Sequence, residues 1–329
     1  MCHSGIRRGF YASLPLLIFG WASTLSAGPI GYYFLTTCLN GSCTGSSTIY
    51  RVHGNEVISW ATENQGGGES VIAISEGTVK TTENYQVPTS GTGTEYSLTG
   101  AHNDGEHYTF DLSDRPNYSY TAWDGTSGGG FNYLLSWDEG GLYRFGADWG
   151  MGTQVWNLNT QPLCWYGYYD ICSGYAWAGV TYDRTVANRI WVSSYDATPI
   201  PLDHAPWSSA GVVQRDLTTG LPISGFTTSF QLGGLAMDDD GTLWVANNST
   251  ERGYIYHYGR DGTFLDKMQF YSGAGTIDVM GGEIADHTLL DGQGGQVPEP
   301  NEFLMLAVCL VLLVPLGRKM RKTSPVRDH

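Results

Sequence analysis

Basic residues are scarce in this 329-residue chain: 17 Lys and Arg stand against 32 Asp and Glu, for a formal net charge of −15. Seven of those 17 sit at the two ends of the chain, and the body between residues 28 and 297 keeps ten against 29 acidic residues, a net charge of −19. No cluster of Lys or Arg interrupts that acidity. Such a surface repels DNA, RNA and anionic lipid, which argues against a nucleic-acid partner. Helix signals are nearly absent as well, and neither a G-x-S-x-G nucleophile elbow nor a Gly-Lys-Ser/Thr phosphate loop occurs. Histidines number only eight. The six in the body (His53, His102, His107, His204, His257, His287) have no ligand spacing, so a zinc site is disfavoured for the four body cysteines. Those cysteines form two short-range pairs, Cys38/Cys43 in "CLNGSC" and Cys164/Cys172 in "CWYGYYDIC". In an oxidising compartment they are expected to close two local disulfides, each stabilising by about 2–3 kcal/mol at most for rings this small.

The ends read as addresses rather than fold. Arg7 and Arg8 precede an apolar run over 10–21 that is broken by Pro15 and Gly20, and "STLSA" then offers a signal-peptidase site after Ala27. The run is short for a membrane anchor. "FLTTC" lacks the small residue that lipid attachment at Cys38 would need. The expected layout is a signal peptide over 1–27, an exported body over 28–296 and a C-terminal signal over 297–329. A body of that length suffices for one large β domain.

Within the body, Gly, aromatic and β-branched residues recur in short runs with turn clusters about every ten residues, the pattern of an all-β chain. "STIYRV", "SVIAIS", "HYTFDL", "NRIWVSS" and "TLWVAN" alternate as half-buried strands do. The runs also repeat. "AGVTYDRTVANRIWVSS" (178–194) and "GGLAMDDDGTLWVANN" (233–248) align Gly179 with Gly234, Asp183 with Asp238 and Trp191 with Trp244. Each is followed by a second hairpin-like pair. A looser copy begins at Trp123-Asp124, and "EYSLTGAHNDGEHYTFDL" reads as the start of another. A period of roughly 50–60 residues suits a four-stranded blade with loops, and the expected fold is a β-propeller of five or six blades. "AGTIDVMGGEI" is placed to join the first blade and close the ring. The units "GLAMDDDGTLWVAN…GYIYHYGRDGTFL" resemble NHL and SMP-30-type propeller repeats.

The tail has three parts in order: Val297-Pro298-Glu299-Pro300, fourteen uncharged residues over 303–316, and the basic residues Arg318, Lys319, Arg321 and Lys322. The basic end resists translocation, so the body stays outside. Fourteen helical residues reach about 21 Å, short of the roughly 30 Å hydrocarbon core, an adequate anchor only if temporary. This arrangement resembles the PEP-CTERM sorting signal of Gram-negative bacteria. The resemblance implies recognition of Val297–Pro300 by an exosortase, a membrane transpeptidase/protease. It further implies removal of the tail and delivery of the body to the cell surface or a biofilm matrix of exopolysaccharide.

Candidate chemistry is sparse. Asp238-Asp239-Asp240-Gly241 offers Asp238 and Asp240 as weak Ca²⁺ ligands, against the reading of a tight turn favoured by Asp and Gly. "HNDGEH" carries metal-type side chains but also a hairpin-turn signal at Asn103-Asp104-Gly105. SMP-30-like enzymes hold a divalent metal with Glu, Asn and Asp in the channel; Asn247 or Asn248 would fit one such role, with no partners to assign. No residue is assigned as catalytic. Trp165, Tyr166, Tyr168 and Tyr169 in the cystine loop are a candidate sugar-contacting platform, whereas Trp191 and Trp244 read as packing. The expected role is non-catalytic binding of exopolysaccharide or another surface protein, with exosortase and signal peptidase as processing partners. The competing class is a propeller lyase or hydrolase using a divalent metal on a matrix polysaccharide or a lactone.

Overall fold

A computed structural model describes residues 28–39, 47–62, 69–83, 90–111, 122–136, 141–158, 177–194 and 211–285. These form twenty strands arranged as five blades of a β-propeller, and no helix lies among the described residues. Blade 2 holds β4 (Glu69–Ser75), β5 (Thr78–Glu83), β6 (Ser90–Ser97) and β7 (His102–Asp111). Blade 3 holds β8 (Ala122–Gly128), β9 (Phe131–Ser136), β10 (Gly141–Gly146) and β11 (Trp149–Asn157). Blade 4 is β12 (Trp177–Tyr182), β13 (Arg189–Ser194), β14 (Val212–Asp216) and β15 (Pro222–Phe226). Blade 5 is β16 (Leu232–Met237), β17 (Leu243–Asn247), β18 (Tyr254–Tyr258) and β19 (Phe264–Gln269). Blade 1 joins the two ends of the body: β1 (Tyr32–Leu39), β2 (Thr48–His53) and β3 (Glu56–Ala61) are completed on the inside by β20 (Ile277–Ala285). Of the two expected blade counts, the structure takes five.

Ring closure rests on the antiparallel ladder between β1 and β20, from Tyr32↔Ala285 to Leu39↔Ile277. The stretch "AGTIDVMGGEI" therefore does what its sequence suggested. The inner strands β20, β4, β8, β12 and β16 contact one another in a closed ring around the axis. Blades 2 and 3 are also joined at their outer edges by a short parallel pairing of β7 with β11.

Each four-stranded sheet must bury two faces, and stacking blades around an axis achieves that without any helix. The core is accordingly split into clusters between neighbouring blades, such as Trp191 with Leu232, Leu235, Met237 and Val245 between blades 4 and 5. The runs "NRIWVSS" and "TLWVAN" thus differ from expectation. Ile190, Trp191, Val192 and Ser193, and all of Leu243–Asn247, are buried on both faces. Their sequence alternation reflects a core that takes small polar residues in turn, not one wet face.

Two further expectations are corrected. "EYSLTGAHNDGEHYTFDL" does not start a blade but supplies β6 and β7, the outer half of blade 2. Asn103-Asp104-Gly105 lies inside β7; the chain reverses just before, where Gly100 has φ 92° and donates its N–H to Ser97 O at 2.9 Å. Only a residue free of Cβ takes that backbone conformation readily.

The two ends of the propeller differ. At the C-terminal ends of the inner strands the connections are tight: residues 76–77, 129–130, 183–188 and 238–242 within the first hairpins, and 54–55, 98–101, 147–148, 217–221 and 259–263 within the second. At the opposite end most connections are long, including 158–176 and 195–211.

Candidate functional site

The inner strands around the axis carry acids that burial forces into unusual states. Asp124, on β8, is fully buried. Its Oδ1 accepts N–H bonds from Gly125 at 2.8 Å and Gly282 at 3.0 Å, and its Oδ2 accepts one from Val180 at 3.0 Å. One carboxylate on blade 3 thereby ties together the inner strands of blades 4 and 1. Burial pushes its pKa well up, against the three N–H bonds, which pull it down.

Glu283, on the closing strand β20, is equally buried. Its Oε1 meets the Ser127 N–H at 3.5 Å and Arg184 Nη2 at 3.3 Å, and the Thr126 hydroxyl also acts on the carboxylate. Burial pushes its pKa up to about 7 despite the opposing charge of Arg184. Arg184 follows β12, and its guanidinium also donates to Ile284 O and lies 3.5 Å from Asp239 Oδ1. Tyr33 on β1 completes the cluster: its hydroxyl donates to Gly234 O at 3.1 Å, and its pKa is raised by burial and by nearby Asp124 and Glu283. Asp124, Glu283 and Tyr33 are all closed off from solvent, and their bonds link neighbouring blades.

A second polar system surrounds that centre. Asp183 ends β12 and Asp238 ends β16, the aligned positions of the repeat. Each accepts the indole N–H of the aligned tryptophan at 3.0 Å, Trp191 to Asp183 Oδ2 and Trp244 to Asp238 Oδ2. Each also reaches the next blade. Asp183 receives Arg260 from the β18–β19 turn at 2.6 Å, with Gln214 on the same oxygen at 2.6 Å. Asp238 receives the backbone N–H groups of Ile30 and Gly31, both at 2.8 Å, at the entry to blade 1. Burial would raise the pKa of Asp183, but the bonds from Arg260, Thr185 and Trp191 outweigh it and hold the group low.

The sequence candidates fall unevenly. Asp238 spends both oxygens on N–H donors, and Asp240 accepts from Thr242 N at 2.9 Å and Thr242 Oγ1 at 2.5 Å, as a turn residue does. Among the described residues no group of three or more His, Cys, Asp or Glu is arranged to hold a metal ion. Asn248 does not face a ligand. Its Nδ2 donates to Val279 O at 2.7 Å and its Oδ1 accepts from Val279 N at 2.8 Å, clamping the closing strand. Gly233 permits this, since a Cβ there would meet Val279 O at 2.3 Å. Asn247 accepts from Ser249 N. Cys38 lies buried on β1. Cys43, Cys164, Cys172, Trp165, Tyr166, Tyr168, Tyr169, Val297–Pro300 and the basic residues Arg318, Lys319, Arg321 and Lys322 lie outside the described residues. Sequence reading passed over Glu283; its signal is an acid set between two glycines and an apolar end in the closing strand, "IDVMGGEIA".

No protein-family model and no curated protein sequence matches the chain. Among solved structures, a chain of the nidogen/laminin complex is similar at 10% identity and TM-score 0.47, over 77% of this chain and 98% of that one. Glutaminyl cyclase of Myxococcus xanthus is similar at 12% identity and TM-score 0.38, over 70% of this chain and 76% of that one. Catalytically inactive virginiamycin B lyase from Staphylococcus aureus, with quinupristin, is similar at 13% identity and TM-score 0.41, over 70% and 69%. At these identities and scores they bear on neither ligand nor activity.

Proposed function

We propose that this chain is an exported propeller that acts as a binding module of the cell surface or extracellular matrix, not as a catalyst. The observation that carries this reading is the state of the channel acids: Asp124 and Glu283 are sealed from solvent, and Asp124 is saturated by backbone donors from three blades. An active site needs convergent groups that a substrate can touch. Ligand contact is assigned to the long-connection end, where the segment with Trp165, Tyr166, Tyr168 and Tyr169 departs from β11 and returns to β12. Aromatic faces there would stack on sugar rings or on a protein partner, braced by disulfides Cys38–Cys43 and Cys164–Cys172. Export by the signal over 1–27 and sorting by an exosortase through Val297–Pro300 would bring the body to that location.

One observation favours the enzyme reading: burial pushes the Glu283 pKa up to about 7, the range of a general acid. Incubating the purified body with the producing organism's own exopolysaccharide separates the two. Co-sedimentation without new reducing ends or unsaturated products is the expected result. Cleavage, lost on adding EDTA or in Glu283→Gln, would replace the binding module with a metal-assisted propeller enzyme.

A further inference from the structure

The residue that follows the expected signal-peptidase bond is buried. Gly28 and Pro29 are both closed off from solvent. A Cβ at Gly28 would meet Gly54 O at 1.8 Å and Met268 Sδ at 2.8 Å, so only glycine fits between the β2–β3 turn and β19. Pro29 O accepts the Gly54 N–H at 3.0 Å. The next two backbone N–H groups, those of Ile30 and Gly31, are held by Asp238 at 2.8 Å each. Gly31 is pressed in turn against the end of β20, where a Cβ would meet Ile284 Cγ2 at 2.4 Å and Ala285 O at 2.7 Å. Residues 28–31 are thus clamped from the first one on, and no slack separates the Ala27–Gly28 bond from the fold.

Most of that clamp arrives late. Gly54 is near in sequence, but Asp238, Met268, Ile284 and Ala285 all lie 207 or more residues beyond the groups they hold. A protease must take the residues on both sides of its bond in extended, accessible form, so a clamped segment is cut only through the small population that has opened.

We propose that ring closure shuts the signal-peptide cleavage site. While blade 1 is open, the peptidase hydrolyses the Ala27–Gly28 bond with one water, freeing the Ala27 carboxylate and the Gly28 amine. Once β20 docks, the clamp on residues 28–31 withholds the bond. Removal of the signal therefore has a deadline set by the arrival of the last strand, and a chain that closes first keeps its signal. This rests on the reading of residues 1–27 as a cleaved signal.

The test incubates the full chain, folded with its signal attached, with purified signal peptidase, and reads cleavage by gel shift and N-terminal sequencing. Two variants accompany it. One carries a Gly/Ser linker of about eight residues, beginning with Gly, between Ala27 and Gly28, which moves the bond off the clamp and leaves the body untouched. The other lacks residues 277–285 and cannot close the ring. The wild-type precursor is expected to be cut roughly tenfold or more slowly than either variant. Equal rates for the wild type and the linker variant overturn the gate and leave the signal reading intact. A linker variant as resistant as the wild type, beside a deletion variant that is cut, overturns it too, since the protection then lies outside the clamp. A deletion variant that is not cut after Ala27 defeats the signal reading itself, and the gate with it.

Discussion

Blades 4 and 5 fasten their first hairpin to the next blade with an aspartate; blade 2 does the same with a lysine. Asp183 and Asp238 each gather an indole N–H from their own blade and donors from the following one. In blade 2, Lys80 on β5 is almost fully buried, with Nζ donating to Glu76 Oε2 at 2.9 Å in its own turn, and to Ala147 O at 3.1 Å and Asp148 Oδ1 at 3.2 Å in the β10–β11 turn of blade 3. The geometric task is the same, since the first hairpin of one blade is fastened to the blade that follows it. The charge is opposite. A propeller therefore needs a polar link at this place but not a particular residue, and the links should differ in strength according to what is stranded when they are cut.

The largest loss is expected at Asp238→Ala. It leaves Ile30 N, Gly31 N, Asp239 N and Trp244 Nε1 without an acceptor, donors that cannot all reach water, for a cost of about 4 kcal/mol in chemical denaturation. Next comes Glu283, through pH. Its folded pKa of about 7 lies above the ordinary value of 4.5, so the stability it contributes is complete below pH 4.5 and is lost as pH rises through 7. The wild type should lose about 3 kcal/mol from this group between pH 4.5 and pH 8. Glu283→Gln should remove that part of the dependence; denaturation curves of both proteins at the two pH values check it. Asp183→Ala should cost less than Asp238→Ala, about 2 kcal/mol, because Arg260 can swing to solvent and Thr185 and Val186, which also donate to Asp183 Oδ1, lie in an exposed turn where water replaces it, leaving Trp191 and Gln214 stranded. Equal losses at Asp183 and Asp238 would break the argument from stranded donors.

Lys80→Met is expected to cost below about 1 kcal/mol by the same measurement. Its carboxylate partners Glu76 and Asp148 are largely exposed and return to water. Ala147 O keeps Asn132 Nδ2 at 2.8 Å and Ser75 Oγ at 3.2 Å as donors. A loss as large as that at Asp238 would mean that the two kinds of link are energetically alike after all.

The same comparison explains what could be read from the residues alone. Blades 4 and 5 were visible because Gly, Asp and Trp recur at matching places, and those residues repeat for a reason that packing imposes: a buried indole needs an acceptor. Blade 3 was visible through the looser copy that begins at Trp123-Asp124. Blade 2 was half-hidden, since Lys80 stands on the second strand where blades 4 and 5 carry Trp191 and Trp244, and the turn signal at Asn103-Asp104-Gly105 falls at a register irregularity of the β6–β7 ladder instead of at its reversal. The closing strand was legible from its position at the end of the body. The channel cluster was not, because Asp124 and Glu283 are separated by 159 residues of sequence and meet only once the ring exists.

That late meeting has a kinetic side. Blade 1 is built from the first and last strands of the body, with Thr36 Oγ1 and Gly281 N hydrogen-bonded across a sequence separation of 245 residues. Until β20 arrives, β1 presents an open inner edge, the kind of surface that recruits other chains. Such long-range pairing is slow to form. The last residues of the fold to emerge during synthesis are thus the ones that end its vulnerability to aggregation, and a chain truncated before Ile277 should accumulate as an open, self-associating ring however well its other four blades are made.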